Sequence, residues 1–379
     1  MWRTPVVVVA SVSLTTPVLP LAHSAPSQPA ITPSTTPSTT WSAADHDRSH
    51  RVRGWSVPLD ERATTDVGQR VPGSRTFETV GVSWASGPAP TVEVRTRTRG
   101  SWTGWVRLDQ LKDVGDGMHP VRATEPRWAG PSDAVRVRVT EGYRSGLEVV
   151  LVDPGQQEAD APEEAARRTA VVSAARQDRA PAPRIFKRDA WGANERWRSG
   201  DPVVMNTIKQ AHIHHTASSN SYSRADVPAI LRSMYYYHTK ELGWSDIGYN
   251  FLVDRFGRVW HGRAGGFKRP IRGAHTLGFN NASVGVAAIG NYEEKGPSRA
   301  MRRGIAHLIA WKLDKYGRNP TGRIRISSTG SDRYPRGKYR LPVIDGHRDT
   351  NYTACPGVRL YKRIPDLRRR IKSRVEKFN

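Results

Sequence analysis

Within 54–153 the chain carries several segments in which apolar and polar residues alternate. Val92 and Val94 in TVEVRTRT, and Val135, Val137 and Val139 in AVRVRVTE, fall at period two with arginine and threonine between them, as in strands with one face buried. RTFETVGVSW, SWTGWVRL and GLEVVLVD add further segments between glycine and proline turns, so this stretch predicts an all-β, sandwich-like domain. Beyond residue 184 the period changes. In SRADVPAILRSMYYYHTKELGW, Val227, Ile230, Leu231, Met234 and His238 share one helical face, Ser223 and Asp226 form a capping-box pair, and Pro228 lies in the first turn. RAMRRGIAHLIAWKLDKYG predicts a second helix, closed by Gly317 with Pro320 beyond, and a last basic helix spans about 361–377. TIKQAHIHHTA reads as a strand entering a loop, GYNFLVDRFGRVWHG as a hairpin turned at RFGR, and SVGVAAIGNY as a central strand, being apolar almost throughout. The chain is therefore expected to be multidomain, its carboxy-terminal part (184–379) an α/β domain with a central mixed β-sheet flanked by helices.

Two compositional breaks separate these parts. Residues 25–53 are rich in Ser, Thr and Pro and residues 154–183 in Ala, Glu and Pro, and both read as linkers. Before them, MWRTPVVVVASVSLTTPVLPLAHSA has Arg3, an apolar run and the small residues Ala22 and Ser24, the layout of a secretory signal peptide (1–24). An uncleaved anchor is the alternative; however, Ser11, Ser13, Thr15, Thr16, Pro17 and Pro20 interrupt a run that would need about 20 mainly apolar residues to span a bilayer. A secreted, cell-wall-associated protein with no transmembrane anchor after processing is the expectation.

Charge sharpens the division. The formal charge is +24, and from residue 184 onward 38 Lys and Arg face 15 Asp and Glu, so +23 belongs to the second half. For an exported chain such a field points to anionic wall polymers or lipid headgroups rather than nucleic acid, with plain solubility as the competing explanation. The tryptophans of the β-rich part, Trp55, Trp84, Trp102, Trp105 and Trp128, are read as core more readily than as stacking surfaces for sugar rings.

The chain has one cysteine, Cys355, which excludes an internal disulfide. In an oxidising compartment it needs another role: intermolecular pairing, nucleophile, metal ligand or inert burial. His214 and His215 end a predicted strand, and His347 stands eight residues before Cys355. Two imidazoles and a thiolate with one position open form a catalytic zinc set, although the spacing alone is also compatible with a Cys355 nucleophile served by His347.

The second half resembles the family of peptidoglycan recognition proteins and zinc N-acetylmuramoyl-L-alanine amidases. Five ordered motifs carry the resemblance over about 184–377: RDAWGA, IHHTAS, GWSDIGYNFLVDRFGRVWHGR, GAHTLGFNNASVGVAAIGNY and GHRDTNYTACPG. It implies zinc (Zn2+) as cofactor, with His214, His347 and Cys355 as ligands, and peptidoglycan as partner. It further implies hydrolysis of the amide between N-acetylmuramic acid and the L-alanine of the stem peptide. Tyr249 matches the active-site tyrosine. Phage members place a lysine two residues before the cysteine, where this chain has Thr353, assigned with Tyr249 to catalysis as a hydrogen-bond donor to the tetrahedral intermediate. His215, adjacent to the ligand, is grouped with His275 and Asn280 at the substrate groove, a structural role for that loop being the alternative. Asp345 and Asp349 flank His347 and are candidates to orient its ring, Asp349 also to cap a turn. Non-catalytic members typically lack the cysteine. A binding-only recognition protein, a cationic wall adhesin and a metal-free thiol hydrolase remain the rival functions.

Overall fold

The computed structural model describes residues 51–62, 68–112, 115–116, 122–160, 169–170 and 179–379. The expected signal peptide and Ser/Thr/Pro-rich linker lie outside them up to residue 50. The alternation at Thr91–Thr98 is realised directly, with Val92, Val94 and Thr96 buried and their neighbours half-buried. That strand is β3 of eight, after β1 (Arg53–Pro58) and β2 (Gln69–Trp84) and before β4 (Ser101–Trp102), β5 (Val106–Arg107), β6 (Arg122–Ala123), β7 (Arg127–Glu141) and β8 (Leu147–Asp153). All pairings are antiparallel, in the order β1-β8-β2-β7-β3-β4, with β5 on β3 and β6 on β2. The long β2 pairs with β7 over Gln69–Val80 and with β8 over Thr79–Trp84, with register shifts before Phe77 and Thr79. The sandwich-like expectation therefore takes the form of one continuous network around a core of Val80, Val82, Val137, Val149 and Leu151.

The five tryptophans divide. Trp84 and Trp128 are buried, and Trp55 packs half-buried on the β-domain core. Trp102 and Trp105 are not core residues. They lie half-exposed under guanidinium groups, Arg95 over both rings, Arg136 over Trp102 and Arg138 over Trp105. Alternation put arginines and tryptophans on the same outer face.

The carboxy-terminal domain is built on a seven-stranded mixed sheet. Its strands are β9 (Thr169–Ala170), β10 (Ile185–Phe186), β11 (Gln210–His215), β12 (Phe251–Val253), β13 (Val259–His261), β14 (Ser283–Ala288) and β17 (Ile344–Gly346), in the order β17-β11-β14-β12-β13-β10-β9. β15 (Arg323–Ser328) and β16 (Gly337–Pro342) form a separate hairpin. β14 is buried along its whole length, as a central strand must be. β12 and β13 make the expected antiparallel hairpin.

Helices α2 (Arg299–Asp314) and α4 (Ile364–Glu376), the latter preceded by the short α3 (Val358–Tyr361), contribute Ile305, Ile309, Leu367 and Ile371 to one core with Ile213 and Val286 of the sheet. Helix α1 (Asp226–Tyr236) packs Ile230, Leu231 and Met234 into a second core with Leu252, Trp260 and Ala287. Ser223 and Asp226 do exchange reciprocal bonds at its start, and Ser298 caps α2 through the Met301 N–H. No helix among the described residues is long and apolar enough to cross a membrane.

The described residues from 51 onward fall in one compact unit, in which the two domains share contacts. Trp128 of β7 belongs to the second core, and its N–H donates to Ser218 Oγ at 2.7 Å. Buried Arg232 of α1 donates to both carboxylate oxygens of Asp160, at 2.7 and 2.8 Å, and to the carbonyls of Pro154 and Gly155. The start of the expected second linker is thus tied to the helix by a buried guanidinium.

Candidate metal centre

Strands β11 and β17 are parallel neighbours with Ile213 opposite Gly346, so both run towards the same end of the sheet. The next residue of each chain segment is a histidine, His214 and His347, and the register alone brings the two rings to a centroid distance of 4.7 Å. Cys355 returns to this end on the loop after the turn His347–Asp349. The loop is fixed by its own backbone: the Arg348 N–H donates to the Cys355 carbonyl at 2.9 Å, and the Cys355 N–H donates to Thr353 Oγ1 at 3.2 Å.

One ligand atom from each of His214, His347 and Cys355 lies within 4.8 Å of the others. Nδ1 of His214 is 3.7 Å from the sulfur. A tetrahedral zinc ion at about 2.0 to 2.3 Å from each ligand holds them roughly 3.5 Å apart, so the donor set and its spacing fit such an ion. Electrostatics agree. Burial, reinforced by the neighbouring His347, His275 and His212, holds His214 well below the ordinary imidazole value, and burial with His212 and His215 lowers His347 to about 3. Both rings are neutral and offer a lone pair, the form a cation binds.

The ring of His214 is held from behind. Its Nε2 lies 3.1 Å from His275 Nδ1 and 3.3 Å from Thr276 Oγ1, which leaves Nδ1, 3.7 Å from the sulfur, as the atom turned to the centre. His275 was expected at the groove, but it is fully buried and stacks edge-on to His214 at 5.0 Å. Its ring occupies space above Gly285 of β14, where any Cβ would come within 2.4 Å of it. Asn280 is likewise a loop support: its Oδ1 accepts from the backbone N–H groups of His275 and Thr276 at 2.8 and 3.0 Å.

His215 faces elsewhere. Its backbone N–H donates to Cys355 Sγ at 3.3 Å, whereas its buried side chain accepts from the Tyr292 N–H and approaches Asp109 of the β-rich domain at 3.7 Å. This placement gives it no open face toward a groove, and burial with Arg348 lowers its pKa to about 3. Tyr249 lies beside the centre, its ring 5.4 Å from that of His214. Thr353 is half-buried; while its oxygen accepts from Cys355, its O–H proton remains available to donate.

The two aspartates do not orient His347. Asp345 accepts from His212 Nδ1 at 2.6 Å and from Gln210 Nε2 at 2.7 Å, one position along the sheet face. Asp349 accepts from the Gly346 N–H at 2.9 Å and from Tyr361, closing the turn as a cap. His212 was missed by the sequence reading. It lies two residues before His214 on the same face of β11, with its ring 5.8 Å from that of His275, so period two in QAHIHH was the available signal.

A family model described as N-acetylmuramoyl-L-alanine amidase matches residues 205–358, and one described as Rv3811 N-terminal galactose-binding domain-like matches residues 27–178. Peptidoglycan-recognition protein SC1a of Drosophila melanogaster is 31% identical over 180 residues, covering 48% of this chain and 83% of that protein. Peptidoglycan-recognition protein 1 of Holotrichia diomphalia is 31% identical over 182 residues, 48% of this chain and 79% of that one. Among solved structures, Drosophila peptidoglycan recognition protein SD covers 48% of this chain and 93% of its own at 25% identity and a TM-score of 0.39.

Proposed function

We propose that this chain, which belongs to the family of peptidoglycan recognition proteins and N-acetylmuramoyl-L-alanine amidases, is a zinc-dependent hydrolase. Its substrate on this reading is peptidoglycan, cut at the amide between N-acetylmuramic acid and L-alanine. The observation that carries the proposal is the convergence of His214, His347 and Cys355 within 4.8 Å at one end of the sheet. A non-catalytic recognition protein has no need of that thiol, and its presence at ligand distance favours turnover over binding alone.

Zinc held by these three residues would supply Lewis acidity and would lower the pKa of water towards about 7. The chain's own part is positioning. His275 and Thr276 fix the His214 ring, and the Cys355 sulfur accepts the His215 N–H, which stabilises its thiolate form. Tyr249, beside His214, is assigned to donate its hydroxyl proton to the oxygen of the scissile carbonyl as charge develops there, and Thr353 to donate from the loop side. Such donors typically contribute about 3 kcal/mol each when well aimed. An exported, wall-associated location follows from the substrate and forms part of the proposal. Metal analysis of the purified protein, with mass spectrometry of wall digests, tests it. Zinc at one equivalent and release of intact stem peptides are expected; wall binding without release would leave the recognition reading.

A further inference from the structure

Helices α2 and α4 each carry a basic stripe. Arg299, Arg302 and Arg303 on α2, and Arg370 and Arg374 on α4 with Lys377 at its end, recur at spacings of three, four and seven, so each set lies on one helical face. The two helices pack through Ile305, Ile309, Leu367 and Ile371, and the stripes face each other across a cavity of about 540 Å³. His307 lies on its wall. A second cavity of about 490 Å³ shares Arg303 and His307 with the first and continues past Arg224 and Arg258. No residue of either cavity belongs to the metal centre.

The charges there are poorly balanced. Among the described residues one carboxylate, Asp366, pairs with any of the six cations of the first cavity, meeting Arg370 at 2.7 Å and Arg302 at 3.9 Å. The Nε atoms of Arg302 and Arg374 are shut off from solvent with no hydrogen-bond acceptor. Burial, with Arg374 and Arg303 beside it, lowers His307 to about 4. Ordinary surface arginines are solvated and spread apart; here like charges converge on a concavity and leave buried donors unmet, which opposes folding unless something else is gained.

We propose that this cavity pair binds the phosphodiester groups of an anionic, wall-borne polymer. Five of the six cations around the first cavity are arginines, whose planar forks match phosphate oxygens two at a time. The run of one cavity into the next suits a thin flexible chain with repeated charges. A nucleic-acid duplex is instead read by helices or ribbons that project into its grooves, and this site is concave. The wall as the source rests on the amidase reading: a polymer anchored beside the substrate raises the effective concentration of enzyme at its target. Phosphate binding itself does not depend on that reading.

The test uses the full chain and a synthetic glycerol-phosphate oligomer, titrated calorimetrically. The exposed residues Arg299, Arg303 and Lys377 make folding failure avoidable. Arg303→Ser combined with Lys377→Ser, and separately Arg299→Ser with Arg303→Ser, are expected to weaken binding at least tenfold, with zinc content and hydrolysis of a short soluble muropeptide unchanged. Equal affinity in wild type and both variants overturns the site. Equal capture of a single-stranded oligonucleotide of the same phosphate count, or of phosphatidylglycerol vesicles, with the same arginine dependence overturns the wall-polymer assignment. Absence of muropeptide hydrolysis in every protein would strike the amidase reading alone and leave the phosphate comparison standing.

Discussion

Nε2 of His214 lies 3.1 Å from Nδ1 of His275, so one ring of the candidate metal centre is held by a second ring that is itself fully buried. A ligand fixed from behind loses less freedom on binding metal. His275→Ala is therefore expected to weaken zinc binding by about 10- to 100-fold while all three ligands remain. Competition with a chromogenic chelator measures this; unchanged affinity would show that Thr276 suffices to hold the ring.

Cys355→Ser tests the centre itself. A serine hydroxyl is a poor zinc ligand at neutral pH, so the variant is expected to purify with less than a tenth of the wild-type zinc and to lose hydrolysis. The cysteine is buried at the end of a backbone-pinned loop, so circular dichroism should be unchanged. Because an ion that binds only the folded state adds stability, chelation should lower the thermal midpoint of wild type and leave that of Cys355→Ser where it was.

Tyr249→Phe separates the tyrosine's hydroxyl from its ring. The ring is 4% exposed and packs in the second core, so removing one oxygen should leave substrate affinity nearly constant. If the hydroxyl meets charge that appears only in the transition state, kcat should fall about 100-fold with KM within a factor of three. A raised KM at constant kcat would assign Tyr249 to substrate binding.

The cluster of His214, His347 and Cys355 and the sheet that carries it were legible in the sequence because both depend on local pattern: strand-end histidines, a central apolar strand and a single thiol in a turn. What surrounds them was not. His275 is 61 residues from His214, and their contact arises from the pairing of β11 with β14, beside whose Gly285 the His275 ring lies. Asp345 adjoins His347 in sequence by two positions yet bonds His212, because β17 runs beside β11 in parallel and sets Asp345 opposite His212. Trp102 and Trp105 misled for a different reason: period two identifies the two faces of a strand, but composition alone assigned the aromatic face to the interior.

Lys312 gives the fold a pH dependence of its own. It lies 1% exposed in α2 and donates to the carbonyls of Phe267 and Arg269, yet burial, with Lys315 nearby, lowers its pKa to about 7. The unfolded chain holds that proton up to about 10.4, so between these values the unfolded state binds more protons and stability rises with pH. The denaturation midpoint should therefore climb from pH 7 towards pH 10, and Lys312→Met should flatten this limb. A profile identical in the two proteins would mean that the two carbonyls keep the ammonium charged.

Trp128 tests whether the two domains fold as one. It is a residue of β7, but its ring is 3% exposed within the core that holds Trp191, Ile230 and Trp260 of the other domain. Truncation of a buried tryptophan costs about 3 to 5 kcal/mol. Were the domains independent, Trp128→Ala would leave the carboxy-terminal transition untouched. The shared core requires the opposite: the substitution should lower the midpoint of the carboxy-terminal domain, followed through hydrogen exchange at the β14 amides, while the exchange of β3, which lies away from that core, changes less. The bond to Ser218, three residues beyond His215 in the segment that follows β11, is made by the Trp128 backbone N–H and survives the substitution, so the same variant should lose zinc to chelator no faster than wild type.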